Sequence, residues 1–274
     1  MQPPFSQPEE PMRPNKVKQL WREGKPAAIA WVGSADTYMA EVLANVGLDA
    51  LVLDMQHGMG IGPDRAAQWF QAVSTTGTVP LARVPWNEPV WAQWVLDAGA
   101  YGVIVPLVND GEEAAKAGMS CRYPPIGFRS IGPNRATLYG GGDYLAHANE
   151  EVICLVMVEN INTIPNLEDM AKAPGIDGFY IGPADLAISM GVDPRNYRAS
   201  EEHAEASQKV LDVARANGLV AGTHCGAPEE AKERFEQGFV MCPAMSDAGL
   251  LASAARDALE RAKTPESDAA KPFY

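Results

Sequence analysis

Eight short apolar, β-rich runs separated by helical patterns constrain this 274-residue chain more than any other feature. The runs cover residues 27–32, 50–54, 79–83, 102–106, 152–159, 178–181, 219–223 and 239–242, with helical patterns over 36–45, 64–74, 89–97, 166–171, 201–217 and 228–237 between them. A helical crossover returns the chain to the same edge of a sheet, so alternation of this kind makes successive strands parallel. Eight units predict an α/β fold, a (β/α)₈ barrel of the TIM type, and 46% hydrophobic residues suffice to fill its core.

No linker long enough to divide the chain lies between the runs, so the expectation is a single barrel domain over residues 16–263. A proline-rich stretch, residues 1–15, reads as a flexible N-terminal arm without the apolar segment of a signal peptide, and residues 264–274 read as a flexible tail. Residues 110–150 form the longest gap between strands and are read as a Gly- and Pro-rich functional loop. A last helix, residues 247–262, carries Leu250, Leu251, Ala254 and Leu259 on one side and must pack on the barrel or on a partner subunit.

Thirty-five acidic against 22 basic residues give a formal charge of −13, which repels polyphosphate and anionic lipid and argues against nucleic-acid partners. No apolar run reaches the roughly 18 residues of a membrane span. Cys121, Cys154, Cys225 and Cys242 are widely spaced, and a reduced, cytoplasmic protein fits them best. Nucleotide use is not expected, because neither a Walker-type G-x-x-x-x-G-K-[ST] nor a G-x-G-x-x-G opening a helix after the first run is present.

Several apolar runs close on a polar side chain: Asp54 in L-V-L-D-M-Q-H-G, Arg83 in L-A-R-V-P-W, Glu159 in M-V-E-N, Asp185 in I-G-P-A-D. Parallel strands gather such ends at one rim, where barrels carry their chemistry. Glu159 and Asp185 lie 26 residues apart, about one βαβ unit, and two carboxylates with open positions suit a hard divalent ion such as magnesium or manganese. Solvated acids at helix starts are the alternative. His57 can serve as a base near neutral pH or simply bond a loop. Arg83 meets an anion or forms an internal salt bridge with Asp54 or Asp97. His147 and His203 read as solvated surface residues, and His224–Cys225 as a weak nucleophile signal, since adjacent side chains on extended backbone point apart.

At these residues the chain resembles the HpcH/HpaI class II pyruvate aldolases, which include 4-hydroxy-2-oxoheptanedioate and 2-keto-3-deoxy-L-rhamnonate aldolases. The resemblance runs from about Lys16 to Arg261 and rests on G-L-D-A-L-V-L-D-M-Q-H-G, R-V-P-W-N-E-P, L-D-A-G-A-Y-G-V-I-V-P, R-Y-P-P-I-G-F-R-S-I-G and G-I-D-G-F-Y-I-G-P-A-D-L-A-I-S-M-G. It implies a modified barrel of the phosphoenolpyruvate/pyruvate type, a homohexamer built as a trimer of dimers, and a C-terminal helix exchanged between subunits. It also implies an aldehyde-lyase of aromatic or sugar acid catabolism. Such an enzyme cleaves 4-hydroxy-2-oxo acids to pyruvate and an aldehyde through an enolate on magnesium, manganese or cobalt, without a Schiff-base lysine.

By the same resemblance Glu159 and Asp185 match the metal carboxylates, and Gly182, Pro183, Ala184 and Asp185 match the segment that holds pyruvate's carboxylate. Arg83 matches the arginine on the pyruvyl oxygen, and His57 the catalytic histidine with Asp97 as its paired aspartate. Asp54 and Gln56 support this set, and the loop 125–131 is expected at the aldehyde pocket with a neighbouring subunit. Gln56 stands where members often carry glutamate and Met157 where they carry glutamine, changes that alter hydrogen bonding around the metal. The competing readings are a metal-dependent oxaloacetate decarboxylase and a degenerate barrel acting as a binding module.

Overall fold

The computed structural model describes residues 11–263. Eight parallel strands close into a barrel in chain order: β1 (Ala27–Val32), β2 (Ala50–Asp54), β3 (Val79–Arg83), β4 (Gly102–Val105), β5 (Ile153–Val158), β6 (Gly178–Ile181), β7 (Val220–Thr223) and β8 (Met241–Ser246). Around them run α1 (Lys16–Arg22), α2 (Thr37–Ala44), α3 (Pro63–Val73), α4 (Pro89–Asp97), α5 (Gly111–Ser120), α6 (Asn134–Gly140), α7 (Tyr144–Glu151), α8 (Leu167–Met170), α9 (Pro183–Ser189), α10 (Glu201–Ala216), α11 (Pro228–Gln237) and α12 (Asp247–Lys263). Strands β2 to β6 are buried at every position, which is why they read as continuous apolar runs rather than alternating ones.

Local chemistry fixes the helix starts. Proline opens α3, α4, α9 and α11, where its missing N–H costs nothing, and Asp36, Asp110 and Ser200 cap α2, α5 and α10 through their side chains. Gly238 ends α11 in the left-handed region, φ 102°, and turns the chain into β8.

Four expectations are corrected. The 110–150 gap is not one loop: α5, α6 and α7 occupy most of it, with Ala114, Ala117 and Gly118 of α5 turned inward. Residues 11–15 are packed rather than part of a free arm, because Met12 is buried, Arg13 lies over the Tyr139 ring and Asn15 caps α1. The rest of the expected arm and the tail lie outside the described residues. The last strand starts two residues later than its apolar run and continues to Ser246, pairing with β1 across an irregularity at Ile29 and Ala30. His203 is 2% exposed, not a surface group, because it lies on the inward stripe of α10 with Ala206, Ser207, Val210, Leu211 and Ala214.

No residue of α12 is buried, and Leu250, Leu251 and Leu259 are exposed. No helix among the described residues is long and apolar enough to cross a membrane.

Candidate active site

Strand register builds the site. Asp54 pairs with Arg83 across β2 and β3, Val158 with Ile181 across β5 and β6, and Ile181 with Thr223 across β6 and β7. The residues that follow those ends, Glu159, Gly182 and His224, therefore stand beside the Asp54–Arg83 pair at the C-terminal rim. A cavity of about 530 Å³ opens there, lined by Trp31, Asp54, Arg83, Met157, the segment Gly182–Asp185 and His224, with Tyr197 and Glu230 on its outer side.

Asp54 is the hub of one wall. Its carboxylate takes a forked pair of hydrogen bonds from Arg83, Nε at 2.9 Å and Nη2 at 2.5 Å, and further bonds from Trp31 Nε1 and the backbone N–H groups of Gln56 and His57, each at 3.1 Å. Burial pushes this carboxyl up, but the Arg83 fork, the His57 amide and the Trp31 indole together outweigh it and hold the group below the ordinary value. The Arg83 guanidinium also lies 5.0 Å from the Trp31 ring centroid. Nε and Nη2 are committed to Asp54, and Arg83 is also one of the residues that line the cavity. Of the two sequence readings of Arg83, the structure shows the internal salt bridge with Asp54.

Glu159 is 5% exposed, and its Oε1 accepts a 2.6 Å hydrogen bond from the Leu107 N–H. Leu107 adopts φ 54°, a strained setting for a residue with a Cβ, and that setting aims its N–H at the carboxylate. Burial, then the nearby charge of Asp185, pushes the Glu159 carboxyl up against the opposing pull of Leu107 and Arg83. Glycine at position 182 leaves the Glu159 carboxylate in place, since a Cβ there would meet Glu159 Oε2 at 2.7 Å and the Met157 methyl at 3.1 Å and displace them.

Asp185, in the first turn of α9, is exposed and makes no side-chain hydrogen bond in the described chain. Two neighbouring carboxylates, one of them raised in pKa by burial and then by the other's charge, supply hard oxygen donors of the kind a divalent cation takes. No group of three or more His, Cys, Asp or Glu side chains gathers as a metal site among the described residues, so an ion held by these two would draw its remaining oxygens from substrate or solvent.

The expected anion-binding segment is narrower than its motif. Gly182 N–H is already bonded to Val158 O at 3.2 Å and Pro183 has no N–H, which leaves the amides of Ala184 and Asp185.

Not every expected residue meets the others. His57 is exposed in the loop after β2, outside the cavity lining, with its imidazole unbonded in the described chain. Asp97 ends α4, which runs back along the barrel, so the helix finishes at the N-terminal rim, opposite His57. There Asp97 accepts a 2.8 Å bond from Arg129, and within one chain the two are not paired. The loop 125–131 lies at that same far end, tied through Arg129 to Asp97 and Tyr144, and so borders no cavity at this chain's own Glu159. Gln56 Oε1 is a buried acceptor without a partner among the described residues.

Two residues carry more than their sequence signal. Trp31, the penultimate residue of β1, bonds Asp54, stacks on Tyr180 at 5.6 Å and meets the edge of His224 at 4.9 Å. His224 lines the cavity, and burial followed by the Arg83 charge pushes its imidazole down to about 4, so it is neutral at physiological pH. Cys225 beside it is buried, and its neighbour Cys242 and then burial push its thiol up, a direction that works against a thiolate nucleophile.

Comparison with known proteins places the chain among aldolases by sequence and fold. A hydroxypyruvate/pyruvate aldolase of Rhizorhabdus wittichii is 37% identical over 249 residues, covering 91% of this chain and 99% of the relative. A 4-hydroxy-2-oxo-heptane-1,7-dioate aldolase of Escherichia coli is 33% identical, covering 94% and 98%. The crystal structure of a HpcH/HpaI aldolase/citrate lyase family protein from Burkholderia cenocepacia superposes with a TM-score of 0.84 at 31% identity, covering 91% of this chain and all of that one. The model of the HpcH/HpaI aldolase/citrate lyase family matches residues 27–254, and the chain belongs to that family.

Proposed function

We propose that this protein is a divalent-metal-dependent aldehyde-lyase that reversibly cleaves 4-hydroxy-2-oxo acids into pyruvate, or a related 2-oxo acid, and an aldehyde. The observation that carries the reading is one rim cavity lined by Arg83 and the segment Gly182–Asp185, with the free amides of Ala184 and Asp185, beside the buried Glu159 carboxylate that follows β5. Those groups complement a 2-oxo acid: amide N–H donors for its carboxylate, a guanidinium for its oxo group.

Glu159 and Asp185 would hold magnesium, manganese or cobalt, and when bound the ion supplies Lewis acidity at the 2-oxo carbonyl. Arg83 stabilises the negative charge that develops on that oxygen as the C3–C4 bond breaks, and Asp54 keeps its guanidinium from turning away. His57, on the rim outside the cavity lining, would take the proton of the C4 hydroxyl through an intervening water. An Asp97 able to orient it belongs to a neighbouring copy, as does any 125–131 loop at the aldehyde side, and the exposed leucines of α12 suit exchange of that helix within a homohexamer.

The test follows pyruvate release from a racemic 4-hydroxy-2-oxo acid with a lactate dehydrogenase couple, on metal-stripped protein before and after addition of Mg²⁺ or Mn²⁺, with oxaloacetate run alongside. Cleavage restored by metal and lost in Glu159→Ala and Asp185→Ala supports the aldolase. Turnover of oxaloacetate alone replaces it with a decarboxylase, and turnover of neither substrate leaves a barrel that binds without catalysis.

A further inference from the structure

The proposed site accounts for one side of the cavity, but a buried polar relay behind the β6 and β7 loops has no part in it. His203, within α10, is 2% exposed, and its Nε2 lies 3.0 Å from the carbonyl oxygen of Pro183. A carbonyl only accepts, so Nε2 carries the proton and donates. The Tyr197 ring packs against the imidazole with centroids 4.8 Å apart, and its hydroxyl donates to Glu230 Oε1 at 2.7 Å. Glu230 is itself 5% exposed, and its Oε2 accepts from the Gly226 N–H at 3.0 Å.

The relay therefore joins the loop carrying Asp185 to the loop following His224. Pro183, Tyr197, Gly226 and Glu230 all line the cavity, while His203 stands behind it. Asp185 has no side-chain hydrogen bond among the described residues, so the path of its backbone is the main restraint on where its carboxylate stands relative to Glu159.

We infer that His203 is a positioning residue: its hydrogen bond to Pro183, steadied by Tyr197 and Glu230, fixes the 182–185 turn so that Asp185 and Glu159 together meet one divalent ion. The inference rests on the proposed metal site. Hydrogen bonds to the metal-ligating side chains commonly govern affinity by about 10- to 100-fold, and a bond one step further out, to the turn that carries Asp185, belongs at the low end of that range. A histidine that only filled space would govern stability and nothing else.

The experiment compares wild type, His203→Leu and His203→Gln as full-length, metal-stripped proteins. It reads the Kd for Mn²⁺ by electron paramagnetic resonance, the KM and kcat for the 4-hydroxy-2-oxo acid, and the thermal midpoint. Leucine matches the volume but cannot donate, whereas glutamine can. The expected result is about a tenfold weaker Mn²⁺ affinity in the leucine variant, a raised KM, and recovery of both in the glutamine variant.

Unchanged Mn²⁺ affinity and KM in a folded His203→Leu protein, or equal loss in both variants, would overturn the inference. If the leucine variant does not fold, Tyr197→Phe takes its place, with weaker Mn²⁺ binding expected and unchanged binding counting against the relay. Wild type that binds Mn²⁺ while His203→Leu binds it equally well defeats this inference alone. Wild type that neither binds Mn²⁺ nor releases pyruvate defeats the proposed function, and this inference with it.

Discussion

Replacing Asp54 with alanine removes the acceptor of five hydrogen bonds at once: two from Arg83 and one each from Trp31, Gln56 and His57. The amides of Gln56 and His57 sit at the rim, where water can replace the carboxylate, so they add little to the cost. Arg83 cannot recover in that way, because it is only 8% exposed and its Nε and Nη2 lose their sole acceptor. Breaking one side of a buried ion pair costs about 3–5 kcal/mol, which at roughly 2–4 °C per kcal/mol for a domain of this size lowers the thermal midpoint by roughly 6–20 °C. The Asp54 carboxyl is held below its ordinary value, so its contribution is full above the unfolded pKa of about 3.9 and is lost as pH falls through the folded value; the gap between wild type and variant must shrink in acid. Urea unfolding of wild type, Asp54→Ala, Arg83→Met and the double variant measures both the loss and its coupling. A loss under about 1 kcal/mol, or a double variant as unstable as the sum of the singles, would refute the argument that the pair acts as one unit.

Three further outcomes follow from the same geometry. His224→Phe should flatten acid sensitivity: an imidazole pushed down to about 4 contributes stability that is full above the unfolded value of about 6.5 and lost as pH falls toward 4, so the wild-type drop between pH 7.5 and 4.5 should exceed the variant's by about 2–3 kcal/mol in denaturant titrations. Glu159→Gln should unfold at a higher temperature than wild type when both are metal-free at pH 8, because a carboxyl held above its ordinary value favours folding only below its unfolded pKa and opposes it once charged; the difference should fade on acidification, and calorimetry should show no Mn²⁺ binding by the variant. Gly182→Ala should lose roughly 100-fold in kcat/KM with little change in thermal midpoint, since its methyl would displace Glu159 Oε2 rather than core packing, and an active Gly182→Ala enzyme would contradict that crowding.

The barrel was legible in the sequence because strands buried on both faces leave unbroken apolar runs, and seven of the eight runs lie within one residue of a strand at each end. Asp54, Arg83, Glu159 and Asp185 were legible for a related reason: each stands where an apolar run stops, and parallel strands bring such stops together. Direction along a helix was the harder matter. Asp97 reads as a neighbour of the rim residues, yet it closes α4, and a helix that returns antiparallel to its strand ends at the other rim. His203 was misread from the polarity of E-E-H-A-E, although its spacing to Ala206, Ser207, Val210 and Leu211 is the helical stripe that marks an inward face. Residues 110–150 hid three helices because glycine and proline dominated the reading, whereas the Asp110 cap and the small inward residues of α5 were the informative signals.

The candidate site is also where the chain departs from local consistency. Leu107 holds a backbone conformation that a side chain disfavours, Glu159 is buried beside a second acid, and Gln56 Oε1 has no partner among the described residues. Each feature works against folding on its own, and departures that persist in a well-packed barrel cluster where chemistry needs them. Their directions agree with one another: the Leu107 amide stabilises a negative Glu159, and the glycine at 182 leaves room for that carboxylate. A site shaped only for packing would have a neutral side chain at 159 and no need of a strained turn to feed it a hydrogen bond. Under the proposed function a cation held by Glu159 and Asp185 offsets that cost, because a ligand that binds the folded state alone adds stability that grows with the logarithm of its excess over Kd, about 2.7 kcal/mol at a hundredfold excess.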